Sequence, residues 1–494
     1  MLRLTQKQRH FFDLVRQAVR ANPFSQKREA IDRSIAGFFN ASREEALMRT
    51  THEVAQRMQK LSDNKEGHLK SYGESDADLL RYAHLFHLFH HHMDDFDAHI
   101  EAQGRAGATP ISFSAAEEIL ARLASAGFSP KEALKSLALI FQLRRAFYFI
   151  DRSLPGQSKA MVALREDLWN NVFTCDIELY GTWLTDRMED FSTLLLGETG
   201  TGKGSAARAI GRSGHIPFNP ETGCFTESFA ASFVPVNLSQ YSEALVESEL
   251  FGHTQGAFTG AIKNHQGLLE ACSPHGAVFL DEIGEVSPGL QIKLLKVLEE
   301  RAFSPVGSRK TLTFSGRIIA ATNRPEKELL AKGHMREDLF YRLCSDLIVM
   351  PPLRERLKET PEELFSLVQF TVARIVGKPS PKLSEMVTQA IFQDPGANYP
   401  WPGNVRELAQ CVRRTLLKRR YTPQNRTPPT QEPPTFAHEM ASGDLTAAQL
   451  LQAYCHHLWM QHGNIGEVAR KTGLDRRTAK KHIDGYLDAQ QKQA

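Results

Sequence analysis

No run of about 18 apolar residues occurs in the sequence, the length needed to cross a bilayer. The most apolar stretch, LALIFQLRRAFYFI, is interrupted by Arg144 and Arg145. The beginning of the chain, MLRLTQKQRHFFDLVRQAVR, mixes charged and apolar residues at helical spacing and lacks the apolar segment of a signal peptide. The chain is therefore expected to work in the cytosol, with no membrane partner. Cysteine is also scarce. The six residues, at 175, 224, 272, 344, 411 and 455, form no CxxC pair, which excludes a zinc ribbon or a disulfide framework. Nor is there an excess of one charge sign: 60 Lys and Arg against 57 Asp and Glu leave +3. Any basic surface for nucleic acid has to be a local window.

What is present is length and a change of texture along it. A chain of 494 residues supports three or four domains. Residues 1–160 carry apolar residues three and four apart, broken at ANPFS and AGFSP, and read as helices. From about 190, short β-rich runs (STLLLG, SFVPVN, GAVFLDE, GRIIAATN) alternate with helical stretches, the pattern of a parallel sheet covered by helices. Helices return after PPLRER at 351 and run to about 420. YTPQNRTPPTQEPPTF, with five prolines, reads as a stiff linker over 421–440, and 441–494 is helical again. The expected partition is therefore 1–160, 161–350, 351–420, 421–440 and 441–494.

LLLGETGTGKG places a glycine-rich turn between a strand and a helix. Backbone N–H groups and the helix dipole then face a phosphate, with Lys203 adding a full charge. Gly197, Thr199, Gly200, Thr201, Gly202 and Lys203 are the nucleotide-binding candidates. Gly204 stands where a hydroxyl residue usually holds magnesium, and Ser205 comes one position late. About 80 residues on, GAVFLDEIGE is an apolar strand ending in two carboxylates. Asp281 is the candidate for Mg2+, and Glu282 for orienting and deprotonating the attacking water. A third strand, GRIIAATNR, ends in Thr322 and Asn323, placed by strand order to feel the γ-phosphate.

HGNIGEVARKTGLDRRTAKKHIDGYL reads as helix, turn, helix, with Asn464 and Asp475 as caps and Gly473 as the turn. Residues 470–482 hold six Lys or Arg against Asp475, a +5 window in a nearly neutral chain. Arg476, Arg477, Thr478 and Lys480 are candidates for base or phosphate contact with double-stranded DNA, and Lys481 for phosphate. Near the other end, YAHLFHLFHHHMDDFDAHIEA reads as one helix with His84, His87, His91, Asp95 and His99 opposite an apolar face. His87 and His91 have metal-capable i, i+4 spacing, although a solvated polar face is the plainer reading. GRSGHIPFNPETGCFTESFAAS, 211–232, has the Gly, Pro and Asn content of a surface loop.

GETGTGK, ESELFGHTQGAFTGA, FLDEIGE, AATNRP, MREDLFYRL, PPLRER and YPWPGNVREL together resemble the bacterial enhancer-binding proteins, AAA+ ATPases that activate RNA polymerase carrying sigma-54. The likeness runs through 190–420 and resumes at the C-terminus, which resembles a Fis-type helix-turn-helix. The implied fold is multidomain: an all-α N-terminal domain, an α/β AAA+ P-loop ATPase with a helical lid, and an all-α C-terminal helix-turn-helix. Implied ligands are ATP and Mg2+; implied partners are sigma-54 RNA polymerase, enhancer-type DNA and further copies of the chain in a hexameric ring. Gly256, Ala257, Phe258, Thr259, Gly260 and Ala261 would be the sigma-54 contact, with Phe258 at its tip and no neighbour to bury it. Asn237 would pair with Glu282 and report on the γ-phosphate. Arg336 and Arg342 would reach the nucleotide of the next subunit, and Arg406 would be the lid's sensor arginine. The function implied is promoter opening driven by ATP hydrolysis; an AAA+ DNA-binding regulator of another partner is the alternative, against which the intact GAFTGA argues.

Overall fold

The computed structural model describes residues 1–240, 242–331, 334–396, 399–419 and 446–491, with side chains up to 487. The linker expected at 421–440 lies outside the described residues. The chain forms two compact units, Met1–Tyr421 and Thr422–Ala494.

The first unit opens with eight helices: α1 (Gln6–Arg20), α2 (Gln26–Ala36), α3 (Arg43–Asp63), α4 (Glu74–His91), α5 (Met93–Ala106), α6 (Ala116–Ala126), α7 (Pro130–Ser153) and α8 (Lys159–Phe173). Local chemistry fixes their ends. Thr5 and Ser129 each close a capping box, with Gln8 and Glu132, and Pro130 sits in the first turn of α7, where its missing N–H goes unnoticed. Gly37 and Gly127 end α2 and α6 in the left-handed region.

The single helix expected across 82–100 is corrected to two, broken at His92 (φ −100°, ψ 19°). The break turns the helix face, so histidines counted onto one solvated side do not stay there. His99 is only 6% exposed and packs against Phe113, Phe141 and Phe225, with ring centroids 5.0, 5.4 and 5.7 Å away.

Behind these helices lies one parallel sheet: β1 (Thr193–Leu196), β2 (Phe233–Asn237), β3 (Ala277–Asp281), β4 (Arg317–Thr322) and β5 (Asp346–Val349), in spatial order β2-β3-β4-β1-β5. Alternate residues feed two cores. Leu194, Leu196, Val278, Leu280 and Ile318 face the helices Glu243–Phe251, Pro288–Glu300 and Glu337–Leu343. Leu195, Phe279, Ile319 and Ala321 face α8, the end of α7 and the helix Lys203–Gly211. Four further helices, Leu353–Glu359, Glu363–Val376, Pro381–Gln393 and Asn404–Lys418, enclose a separate core around Trp401. In the second unit, Ala447–His462, Ile465–Thr472 and Arg476–Gln491 pack around Cys455, Leu458, Val468, Ala479 and Ile483.

The segment 211–232 is not a surface loop. Its residues Phe218–Asn219 and Cys224–Phe225 pair antiparallel, and Phe218, Phe225 and Phe229 are buried in the core of the N-terminal helices. The Phe225 ring stacks on Phe141 at 4.1 Å; Phe113 N–H donates to Gly223 O at 2.9 Å, and the Ser228 hydroxyl donates to Gly107 O at 2.6 Å. Arg145 is sealed between the Phe141 and Phe229 faces and donates to Gly214 O, and burial lowers its pKa to about 9. Three phenylalanines thus outweigh the turn-forming residues, and N-terminal helices and sheet domain are joined through a shared aromatic layer.

His99 and His215 are both pushed down to about 4 by burial. Below about pH 6.5 the unfolded chain takes up protons that the folded chain refuses until near pH 4. Stability is therefore expected to fall as pH drops from 6.5 toward 4. Thermal melts should show a lower Tm at pH 5 than at pH 7, with a smaller difference in His99→Phe; identical shifts in the two proteins would contradict the assignment.

Candidate nucleotide and partner sites

β1 runs directly into the phosphate loop, 197–202, and on into the helix Lys203–Gly211. Gly200 (φ +83°) must be glycine on two counts: the left-handed backbone, and a Cβ there would lie 2.2 Å from Gly403 O and 2.9 Å from the Arg406 Cβ. The loop and the helical lid are in direct backbone contact. Lys203 is 7% exposed, and its ammonium donates to Gly197 O at 2.6 Å and Glu198 O at 3.2 Å, positions a phosphate oxygen can take over. Burial lowers its pKa, opposed by Glu282 and Asp281, so the cation and both carboxylates share one field. Thr201 donates to Glu198 O at 2.8 Å, which shapes the turn.

The sheet register brings the other candidates to the same edge. Leu196 is opposite Thr322, Asp281 opposite Ala321, and Asn237 opposite Asp281. Glu282 stands just past β3 at φ +58°, left-handed for a non-glycine residue, which costs of order 1–3 kcal/mol. That turn carries its carboxylate across to β4, where Asn323 N–H donates to Oε2 at 3.4 Å. The Asn323 amide reaches Thr199 Oγ1, also at 3.4 Å, bridging carboxylate and phosphate loop. Asn237 and Glu282 are not bonded to each other here. Asn237 Oδ1 accepts from Ser239 N–H at 3.0 Å and from the Ser239 hydroxyl at 2.8 Å.

Sequence reasoning missed a clasp between loop and lid. Arg354 holds Glu198 with two hydrogen bonds, 2.6 and 2.8 Å, and keeps its carboxyl below the usual range. Asn404 donates to Glu198 Oε2 and to Thr199 O, both at 3.1 Å, and accepts from Leu353 N–H at 2.7 Å. The signal was inside PPLRER and WPGNVREL, but the partners are 156 and 206 residues apart in sequence.

Arg336 and Arg342 lie apart from this pocket and bond to no residue of the phosphate loop. Arg336 pairs with Asp338 at 2.7 Å and Arg342 with Glu299 at 3.3 Å, all four side chains being 44–57% exposed. Exposed pairs of this kind contribute little stability, so either guanidinium is free to exchange partners.

The 256–261 turn is held by Gly256 N–H on Ala261 O at 2.9 Å and Ala261 N–H on Phe258 O at 3.0 Å. Phe258 is 39% exposed, but it is not bare: its ring rests edge-on against His253 at 4.9 Å. Ile262, also overlooked, is 76% exposed beside it. The helix Glu243–Phe251 leads from the Asn237 turn to this loop, and its Glu243 and Glu247 bond Ser287 and Lys293 of the region following β3.

In the second unit the caps are as expected: Asn464 Oδ1 accepts from Gly466 N–H at 2.8 Å, and Asp475 Oδ1 accepts from Arg477 N–H at 2.9 Å and Thr478 N–H at 3.0 Å. Gly473 makes the turn at φ +71°. Arg476, Arg477, Lys480 and Lys481 are exposed along one helix, and the half-buried Thr478 donates its hydroxyl to the capping Asp475 at 2.5 Å.

Residues 183–348 match the family model described as Sigma-54 interaction domain. Among curated proteins, the Nif-specific regulatory protein of Azotobacter vinelandii is 41% identical over 226 residues, 46% of this chain and 40% of that protein. Transcriptional regulatory protein ZraR of Klebsiella oxytoca is 37% identical over 296 residues, 58% of this chain and 62% of that protein. The chain thus spans less than two thirds of the length of these relatives. A crystal structure of NtrX from Brucella abortus aligns with 75% of this chain and 79% of its own, at 23% identity and a TM-score of 0.40.

The Glu198 clasp gives a direct expectation. Glu198→Ala should loosen the lid over the phosphate loop and weaken binding of a fluorescent ATP analogue roughly tenfold, about 1.4 kcal/mol. An unchanged affinity would show that the lid is held some other way.

Proposed function

We propose, from the match of residues 183–348 to the Sigma-54 interaction domain, that the protein is a cytoplasmic, ATP-hydrolysing transcriptional activator of RNA polymerase carrying sigma-54. In this reading residues 1–160 sense a signal, 161–350 and 351–420 form the motor and its lid, 421–440 link, and 441–494 hold double-stranded DNA through Arg476, Arg477, Lys480 and Lys481. The supporting observation is the path from the catalytic edge to an exposed aromatic: Asn237 at the end of β2, the helix Glu243–Phe251, then Phe258.

The loop N–H groups and Lys203 bind the phosphates. Asp281 is the carboxylate for Mg2+; Gly204 contributes no ligand, although a side chain there would meet only the Phe279 ring at 3.9 Å. When bound, Mg2+ supplies charge neutralisation at the phosphoryl oxygens. Glu282 accepts the proton of the attacking water, held in place by Asn323. Because Asn237 is turned toward Ser239 here, its exchange onto Glu282 in the ATP-loaded state would release Ser239 and, through the helix Glu243–Phe251, shift the Phe258 loop. Arg336 and Arg342, remote from their own pocket, suit the nucleotide of an adjacent subunit in a hexameric ring, where such arginines raise rates by about 10³–10⁵.

Two measurements check this. Wild type trapped with ADP and a metal fluoride should capture purified sigma-54, while Phe258→Ala should lose capture and keep its ATPase; capture by neither, with ATPase intact, would favour a regulator acting on another partner. Separately, mixing Arg342→Ala with Lys203→Ala chains should recover part of the ATPase, since an intact arginine then serves an intact phosphate loop. No recovery would contradict a site shared between subunits.

A further inference from the structure

We propose that His91, His92 and Glu118 form a binding site for a divalent transition metal of the zinc or cobalt class, in the N-terminal helices and away from the nucleotide pocket. Neighbouring residues in a continuous helix point about 100° apart. The break between α4 and α5 removes that constraint: His91 ends α4, His92 occupies the turn, and their rings come within 4.8 Å, nearly perpendicular at 87°. Glu118, in the first turn of α6, completes the group, with one ligand atom from each residue lying within 4.8 Å of the other two.

The state of His92 points independently to a ligand. The side chain is buried, at 2% exposure. Its Nδ1 is 2.8 Å from Asp95 Oδ2, while Nε2 is sealed from solvent with no hydrogen-bond partner among the described residues. A carboxylate on one imidazole nitrogen fixes the tautomer and leaves the other nitrogen as an oriented lone pair, the usual support of a metal-binding histidine. A buried polar atom without a partner is otherwise unfavourable, and a metal ion bound at that nitrogen would relieve it.

The donor set selects the ion. Two imidazoles and one carboxylate suit zinc, cobalt or nickel rather than magnesium or calcium, and three protein ligands leave a fourth position for water. The ring of His87 lies 5.9 Å from that of His91, outside the group of three. Thus the i, i+4 pair read from the sequence contributes His91 to the core of the site and leaves His87 at its margin. Arg122 is the competing charge: it engages Glu118 Oε1 at 2.6 Å, in an exposed pair that leaves Oε2 for the cation. Occupancy would tie α6 to the α4–α5 break, in the same bundle whose Phe113 and Phe141 hold the 211–232 segment of the motor.

The test uses untagged full-length protein, stripped of metal and titrated with Co2+, following its visible d–d absorption. Wild type should bind one Co2+ per chain, displaceable by Zn2+. His91→Ala and Glu118→Gln, both at exposed positions, should keep the wild-type Tm without metal and lose affinity at least tenfold, while the exposed His52→Ala binds as wild type. Absence of d–d bands in the wild type, or unchanged affinity in both site variants, would overturn the proposal.

Discussion

Parallel register sets where chemistry can happen in this molecule. The pairing of Asn237 with Asp281, Asp281 with Ala321 and Leu196 with Thr322 makes four strands stop at one level. That edge collects a helix N-terminus, a buried lysine and two carboxylates in one place. A one-residue slip of β3 would send Asp281 to the other face and exchange the residues feeding the two cores. The buried Leu, Ile and Val of β1, β3 and β4 are therefore part of the site, because they fix the register that aligns it.

Around that edge, three connections lead outward by different physical means. The lid is joined by charge and amide hydrogen bonds through Glu198, Arg354 and Asn404, which are directional and partly exposed. The Phe258 loop is joined through a helix whose acidic residues bond to Ser287 and Lys293. The N-terminal helices are joined by buried aromatic packing and by Gln142, whose amide donates to Ser213 O at 2.9 Å just past the phosphate-loop helix. Packed aromatic layers yield less readily than exposed ion pairs. The attachments of lid and loop are thus the ones that can break and re-form, whereas the N-terminal bundle and the sheet are packed as one body.

The parts legible in the sequence are those whose chemistry is local in the chain. Glycines before Lys203, two carboxylates ending an apolar strand, and caps at Asn464 and Asp475 all declare themselves within a few residues. What escaped is non-local or lacks punctuation. The Glu198–Arg354 clasp needs the fold to bring its ends together. The break at His92 has neither glycine nor proline to announce it, so a continuous wheel misplaced His99. In 211–232, turn-forming residues concealed Phe218, Phe225 and Phe229, whose burial depends on helices more than 70 residues earlier in the chain. Phe258 was correctly read as exposed, but its rest against His253 could not be seen without the loop's geometry.

The central claim is that nucleotide state at the sheet edge moves the Phe258 loop through Asn237. Hydrogen exchange over residues 252–263, with and without ADP and a metal fluoride, measures this most directly. Exchange in that segment should change on trapping in the wild type and stay constant in Asn237→Ala. An unchanged rate in the wild type, or the same change in Asn237→Ala, would contradict the coupling.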